Sequence, residues 1–149
     1  MEVKKILCAV DLEDTIAPSV EYAKMMASMT GASIWVAYVI PAHTPYEDVY
    51  LSVNNQPNEV NNPNETIQKS MNALLAEQFA GMDATGVILV GRPSEELVKL
   101  AEEKGANLIV MGTHGRAGFD RLLFGSVAHE VVRAAPCPVM TVRPLMPKK

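Results

Sequence analysis

Five short apolar runs punctuate the chain: Ile6 to Val10, Ile34 to Val39, Val87 to Val90, Leu108 to Met111 and Val139 to Val142. Each is nearly continuous rather than alternating. An alternating strand keeps one face in water, whereas a continuous run suits a strand covered on both faces, as in a parallel sheet. Segments of helical period lie between the runs. Ile16, Val20, Ala23 and Ala27 make one stripe, closed by Gly31. Ile67, Met71, Leu74, Leu75 and Phe79 make a second, with Asn64 expected as N-cap after Pro63 and Gly81 near its end. Leu97, Val98 and Ala101 make a third, opened near Pro93 and Ser94 and stopped at Gly105. Val127, Val131 and Ala134 make a fourth, stopped by Pro136. The order β-α-β-α-β-α-β-α-β predicts an α/β fold: an open, doubly wound parallel sheet with helices on both faces.

Length and charge narrow the function classes. The 149 residues are expected to form a single domain over 1–149. The net charge of −4 removes the basic footprint of a nucleic-acid binder. The first apolar run is too short for a signal-peptide core or a membrane span, so a cytoplasmic protein without membrane insertion is expected. Cys8, inside that run, reads as a small buried hydrophobe. With Cys137 the only other cysteine, neither a zinc cluster nor a disulfide framework is supported. Met25, Met26, Met29 and Met71 fall on helices and read as core filler or ordinary surface. The segment from Pro41 to Pro63 is too polar and proline-broken for a regular element. It admits two readings, a linker or a lid over a ligand.

Sheets of this kind bind ligands outside the carboxyl ends of their strands, at a topological switch point. The first strand ends in Val10-Asp11, and the fourth in Met111-Gly112-Thr113-His114-Gly115-Arg116. The second loop then runs to Gly125-Ser126-Val127, where the fourth helix is expected to begin. Glycines permit close backbone approach to a phosphate, and a helix N-terminus supplies N–H donors and a favourable dipole. The same residues also suit a plain glycine-rich turn with an N-capping serine. No Walker lysine follows a GxxxxGK[ST] pattern, and no GxGxxG follows the first strand. The acidic run Asp11-Leu12-Glu13-Asp14 suggests a phospho-receiver pocket, yet Val90-Gly91-Arg92 lacks the aspartate a receiver needs. His114 reads as a loop-shaping residue. Arg116 and Arg121 read equally as phosphate contacts or as solvated loop residues.

The spacing Gly112-x2-Gly115-x9-Gly125-Ser126 resembles the nucleotide-binding signature of the universal stress protein family. The resemblance extends through Asn107 to Arg116, Arg121 to Val127 and Ala135 to Val139. It also takes in Lys5 to Asp11 and Gly91-Arg92-Pro93, and so spans residues 3 to 144. It implies a strand order of 3-2-1-4-5 and the ATP-binding branch of the family. Gly112, Gly115, Gly125, Ser126 and Val127 would then cradle ribose and phosphates. Asp11 would bind ribose or help hold Mg2+. Val39 would offer backbone groups to the adenine edge, and Met111 would line the pocket. The family often has small residues after the aspartate, where this chain has Leu12 and Glu13. Glu13 and Asp14 would repel a triphosphate unless Mg2+ intervenes.

Three functions follow from this reading. The first is a nucleotide-dependent regulatory protein of the stress response. The second is a slow ATPase or adenine-nucleotide hydrolase, and the third a dimeric interaction module with an empty site. Phosphoryl transfer needs a placed base, and no catalytic residue is evident. A homodimer is expected through the fifth strand, Val139-Met140-Thr141-Val142. It would be an apolar sheet edge bracketed by Pro138 and Pro144, and pairing with its own copy would cover it.

Overall fold

The computed structural model describes residues 2–12, 17–41, 63–113 and 121–143. Their order is β1 (Lys5–Ala9), α1 (Pro18–Thr30), β2 (Ser33–Pro41), α2 (Pro63–Gln78), β3 (Ala84–Gly91), α3 (Pro93–Lys104), β4 (Leu108–Gly112), α4 (Arg121–Ala134) and β5 (Val139–Val142). The five strands form one parallel sheet in the order β3-β2-β1-β4-β5.

Local chemistry explains the boundaries. α1 and α3 carry a proline in their first turn, where the missing N–H costs nothing. Both end on a left-handed glycine, Gly31 at φ 75° and Gly105 at φ 66°, which turns the chain out of the helix. α2 also opens on proline. Asn64, expected as its N-cap, instead lies inside the helix after Pro63, whose fixed φ is already helical.

Alternate residues of the central strands feed two cores. Ile6, Cys8, Ile34, Val36 and Val110 face α1 and α2, where Val20, Ala23, Met71 and Leu74 pack. Leu7, Ala37, Ile109 and Met111 face α3 and α4, meeting Leu97, Leu100, Ala128 and Val131. β1 and β4 are covered on both faces as expected. β3 and β5 are not: they are the sheet's outer strands and stay half-exposed for most of their length. On α4 the buried stripe uses Ala128 and Val131 with Val127 and Ala135 beside them. Ala134, assigned to it from the sequence, is exposed. Of the helical methionines, Met71 is fully buried and Met29 is 73% exposed.

Asn107, the first residue of the glycine-bearing block, has a structural task. Its Oδ1 accepts from the N–H groups of Lys4 and Lys5 at 2.8 and 2.9 Å. Its own N–H donates to the Lys5 carbonyl at 2.8 Å. These bonds lock the starts of β1 and β4 together, at the amino end of the sheet.

Candidate functional site

The carboxyl end is where the chain offers a site. β1 is flanked by β2 on one side and β4 on the other, with Cys8 level with both Val36 and Val110. Asp11, Val39 and Thr113 each lie three residues beyond that level. The sequence distance therefore brings all three to the same rim of the sheet. Beyond β1 the chain proceeds to α1, on one face. Beyond β4 it proceeds to α4, on the other. The two connections part on opposite faces, so the ends of β1 and β4 form the sheet's switch point, where a crevice is expected.

The crevice wall is held by backbone bonds. The Val10 N–H donates to the Ala37 carbonyl at 2.9 Å, carrying the β1–β2 pairing to the rim. The Thr113 N–H donates to the Val142 carbonyl at 3.1 Å and does the same for β4 and β5. Asp11 and Gly112 are half-buried at this rim. Val39 is half-buried and paired with Leu89 across β2 and β3. Met111 is 3% exposed and packs into the core on the α3–α4 side. Val127 packs against the same core.

The structure brings Asp11, Val39, Met111 and Gly112 to one end of the sheet. It corrects the placement of Gly125 and Ser126. α4 starts at Arg121, so these two residues lie in its second turn and do not open it. The run Arg121-Leu122-Leu123-Phe124 contains no helix breaker and extends the helix by one turn. The N–H groups without a helical acceptor therefore belong to the turn that begins at Arg121. Gly115, Arg116 and His114 lie outside the described residues, as do Glu13, Asp14 and residues 42–62 of the long polar segment.

A second polar cluster has no counterpart in the sequence reading. Ser94, 5% exposed in the first turn of α3, donates from Oγ to Glu130 Oε2 on α4. Arg92 donates to Glu130 Oε1 at 2.9 Å and lies 3.6 Å from Glu95. The Ser94 hydroxyl, then the Arg92 guanidinium, hold the Glu130 carboxyl below its usual range. The cluster lines an open groove of about 560 Å³ between α3 and α4. Partners 36 residues apart leave no motif, so no local signal could have found it. Gly91, just before the cluster, has φ 156°, and a Cβ there would sit 2.7 Å from Glu96 Oε1. The Gly91-Arg92-Pro93 sequence thus shapes the β3–α3 turn. A second open groove of about 460 Å³ lies between α1 and β5. Neither groove includes the crevice residues.

Among the described residues, no three His, Cys, Asp or Glu side chains gather around a common point that could hold a metal. No described helix is long and apolar enough to cross a membrane.

The sequence profile described as "Universal stress protein family" matches residues 2–143. The universal stress protein MJ0531 of Methanocaldococcus jannaschii is 33% identical over 150 residues, covering 98% of this chain and 84% of its own. MJ0577 of the same organism is 28% identical over 153 residues, 94% of each chain. The solved structure of MJ0577 covers 99% of this chain and 100% of its own, at a TM-score of 0.74 and 27% identity. A universal stress protein from Archaeoglobus fulgidus, solved in complex with dAMP, is 25% identical. It covers 95% of this chain and 98% of its own at a TM-score of 0.57.

Proposed function

This chain belongs to the universal stress protein family, and from that premise we propose that it is an ATP-binding regulatory protein of the stress response. The observation that carries the proposal is the 3-2-1-4-5 strand order, which brings Asp11, Met111 and Gly112 to the same end of neighbouring strands at the switch point. The Gly112, Gly115, Gly125, Ser126 spacing supports a phosphate cradle there. The dAMP complex of the Archaeoglobus fulgidus relative supports the adenine-nucleotide class.

In this reading the Val39 backbone faces the adenine edge, Met111 supports the pocket floor, and Arg116 approaches the phosphates. Asp11 takes the ribose hydroxyls or a water of the metal shell. Mg2+ fits such a site, since it keeps most of its waters and needs only one or two carboxylates beside phosphate oxygens. Bound there, it would neutralise the triphosphate charge that Glu13 and Asp14 oppose. Phosphates that reach the N–H groups of Gly125 and Ser126 require the first turn of α4 to open. Nucleotide binding then shifts a local equilibrium at the start of α4, and a shift of that kind is what a regulatory ligand supplies. Calorimetric titration with Mg·ATP tests the reading. The parent chain should bind at one site per chain, and Gly125→Val should bind far more weakly because its side chain fills the phosphate approach. Equal affinity in the two proteins would overturn the cradle.

The chain would act as a homodimer through β5. Ile109 donates to the Pro138 carbonyl at 3.0 Å and Thr113 to that of Val142, so the even-numbered residues of β5 turn their backbone groups to β4. Those of Val139 and Thr141 are directed to the outer edge. An antiparallel pairing centred on Thr141 matches Met140 of one copy with Val142 of the other and leaves Pro138 outside the ladder. Thr141→Pro deletes an outward N–H without touching the β4 ladder. Light scattering should show a dimeric parent and a shift toward monomer in the variant. A monomeric parent would refute the dimer.

A further inference from the structure

β3 is an outer strand of the sheet, and its edge is longer than that of β5, eight residues against four. The Ile34 N–H donates to the Asp83 carbonyl at 2.8 Å, which fixes the alternation along the β2–β3 pair. Thr85, Val87 and Leu89 therefore turn their backbone groups to β2. Gly86, Ile88 and Val90 turn theirs outward, where no strand lies among the described residues. Proteins normally blunt such an edge with lysine, proline, a bulge or a very short strand. β3 contains no charge and no proline, and its register with β2 runs without a bulge from Ala84 to Gly91. Val87, Ile88 and Leu89 are half-buried, and Val90 is exposed.

We infer that this edge takes up an extended segment of another protein, apolar in its middle and basic at its ends, as a further strand of the sheet. Only an extended backbone matches donors and acceptors that recur at every second residue, about 7 Å apart. From Ala84 to Val90 the edge runs about 20 Å, the length of a seven-residue segment. Side chains of the incoming strand alternate between the two faces. On one face they lie beside Ile88, on the α2 side, and on the other beside Val87 and Leu89, on the α3 side. Both sets of neighbours are apolar, which favours β-branched residues opposite them.

Charge sets the ends of the segment and disfavours a second copy of this chain. From Pro63 to Lys104, the α2–β3–α3 unit holds seven Asp and Glu against four Lys and Arg. Two of the four cations are already engaged, Arg92 with Glu130 and Lys104 over the Trp35 ring at 4.4 Å. Acids also stand at both ends of the edge. Asp83 is exposed just before it, and the Glu96 side chain flanks Gly91 at its far end. Two copies paired edge to edge would bring this acidic unit against itself, whereas Lys or Arg at the ends of a segment meets it with opposite charge. The inference stands apart from the nucleotide reading and from the β5 dimer, because β3 lies at the opposite edge of the sheet.

The probe is a synthetic peptide of alternating Thr and Val with two Lys at each end. A control peptide keeps its charge but replaces the central Val and the adjacent Thr with Pro, which removes a donor from each of its edges. Labelled peptide is titrated by fluorescence anisotropy, and amide exchange in the protein is followed residue by residue by NMR. Without peptide, the Gly86, Ile88 and Val90 amides should exchange faster than those of Val87 and Leu89. Saturating peptide should slow the first set by about tenfold or more, and the control should not bind. Val90→Pro removes one outward donor at an exposed side chain and should raise the dissociation constant about fivefold, the worth of one backbone hydrogen bond. Should that variant not fold, Val90→Lys, which leaves the strand intact and repels the basic probe, takes its place. Equal binding of the two peptides would reduce the contact to charge alone. Slowing of the same amides as protein concentration rises without peptide would assign the edge to a second copy. Either result, or no binding of the probe, overturns the inference.

Discussion

Gly86→Ala puts the packing of α2 on β3 to a test of sign. A Cβ at position 86 would lie 2.6 Å from Met71 Cγ, 2.9 Å from its Sδ and 3.1 Å from Leu75 Cδ1. Carbon atoms rest at about 3.5–4.0 Å, so something must yield by roughly 1 Å. Met71 is fully buried and has core on its other sides. Overpacking of this kind costs about 1–3 kcal/mol. Without the clash the substitution would stabilise, because Gly86 has no positive φ. Removing glycine's freedom from the unfolded chain is worth about 0.4–1 kcal/mol. For a domain of this length, each kcal/mol moves Tm by about 2–4 °C. Urea unfolding should therefore show Gly86→Ala destabilised at an unchanged m-value. In a Met71→Ala background, itself about 2–5 kcal/mol weaker, the same substitution should become neutral or stabilising. A stabilised single variant, or an equal penalty in both backgrounds, would refute the proposed packing.

Burial pushes the Cys8 thiol up to about 12 and raises that of half-buried Cys137. A thiol reagent at pH 8 should label Cys137 slowly and Cys8 only on unfolding, as read by mass spectrometry. Because the Glu130 carboxyl is held low by Ser94 and Arg92, its contribution is complete above the ordinary carboxylate range and fades as pH falls through its own lowered value. Ser94→Ala should move the Glu130 titration upward in a carboxyl-carbon NMR experiment; an unmoved midpoint would contradict the assigned cause. Steady-state phosphate release with Mg·ATP should fall far below the roughly 1–10³ s⁻¹ of committed enzymes. Turnover inside that range, lost on Asp11→Ala, would establish the ATPase reading instead.

The fold was legible where side-chain pattern alone decides it. The five apolar runs became the five strands, and Gly31 and Gly105 closed their helices. Ala84-Thr85-Gly86 carries no apolar signal, yet it is strand because Ile34, Trp35 and Val36 pair with it. Pairing, not propensity, extends β3 by those residues. The start of α4 was misplaced for a similar reason. Gly125 looked like a boundary, but Arg121, Leu122 and Leu123, three good helix formers, and Phe124 precede it. Asp11 and Gly112 could be placed at the carboxyl end of the sheet from the sequence because the apolar runs of β1 and β4 stop beside them. The Ser94–Glu130 cluster could not, because it exists only once α3 and α4 are packed side by side.

Hydrogen exchange with and without saturating Mg·ATP tests the placement of the nucleotide most directly. The crevice assignment predicts protection in peptides covering 10–12, 37–41 and 111–127, with the α3–α4 groove unchanged. Within α4, the peptide spanning residues 121–127 should change more than the rest of the helix, because its first turn must rearrange to admit the phosphates. Protection confined to the groove residues Arg92, Ser94, Glu95 and Glu130, or none anywhere, would contradict the account.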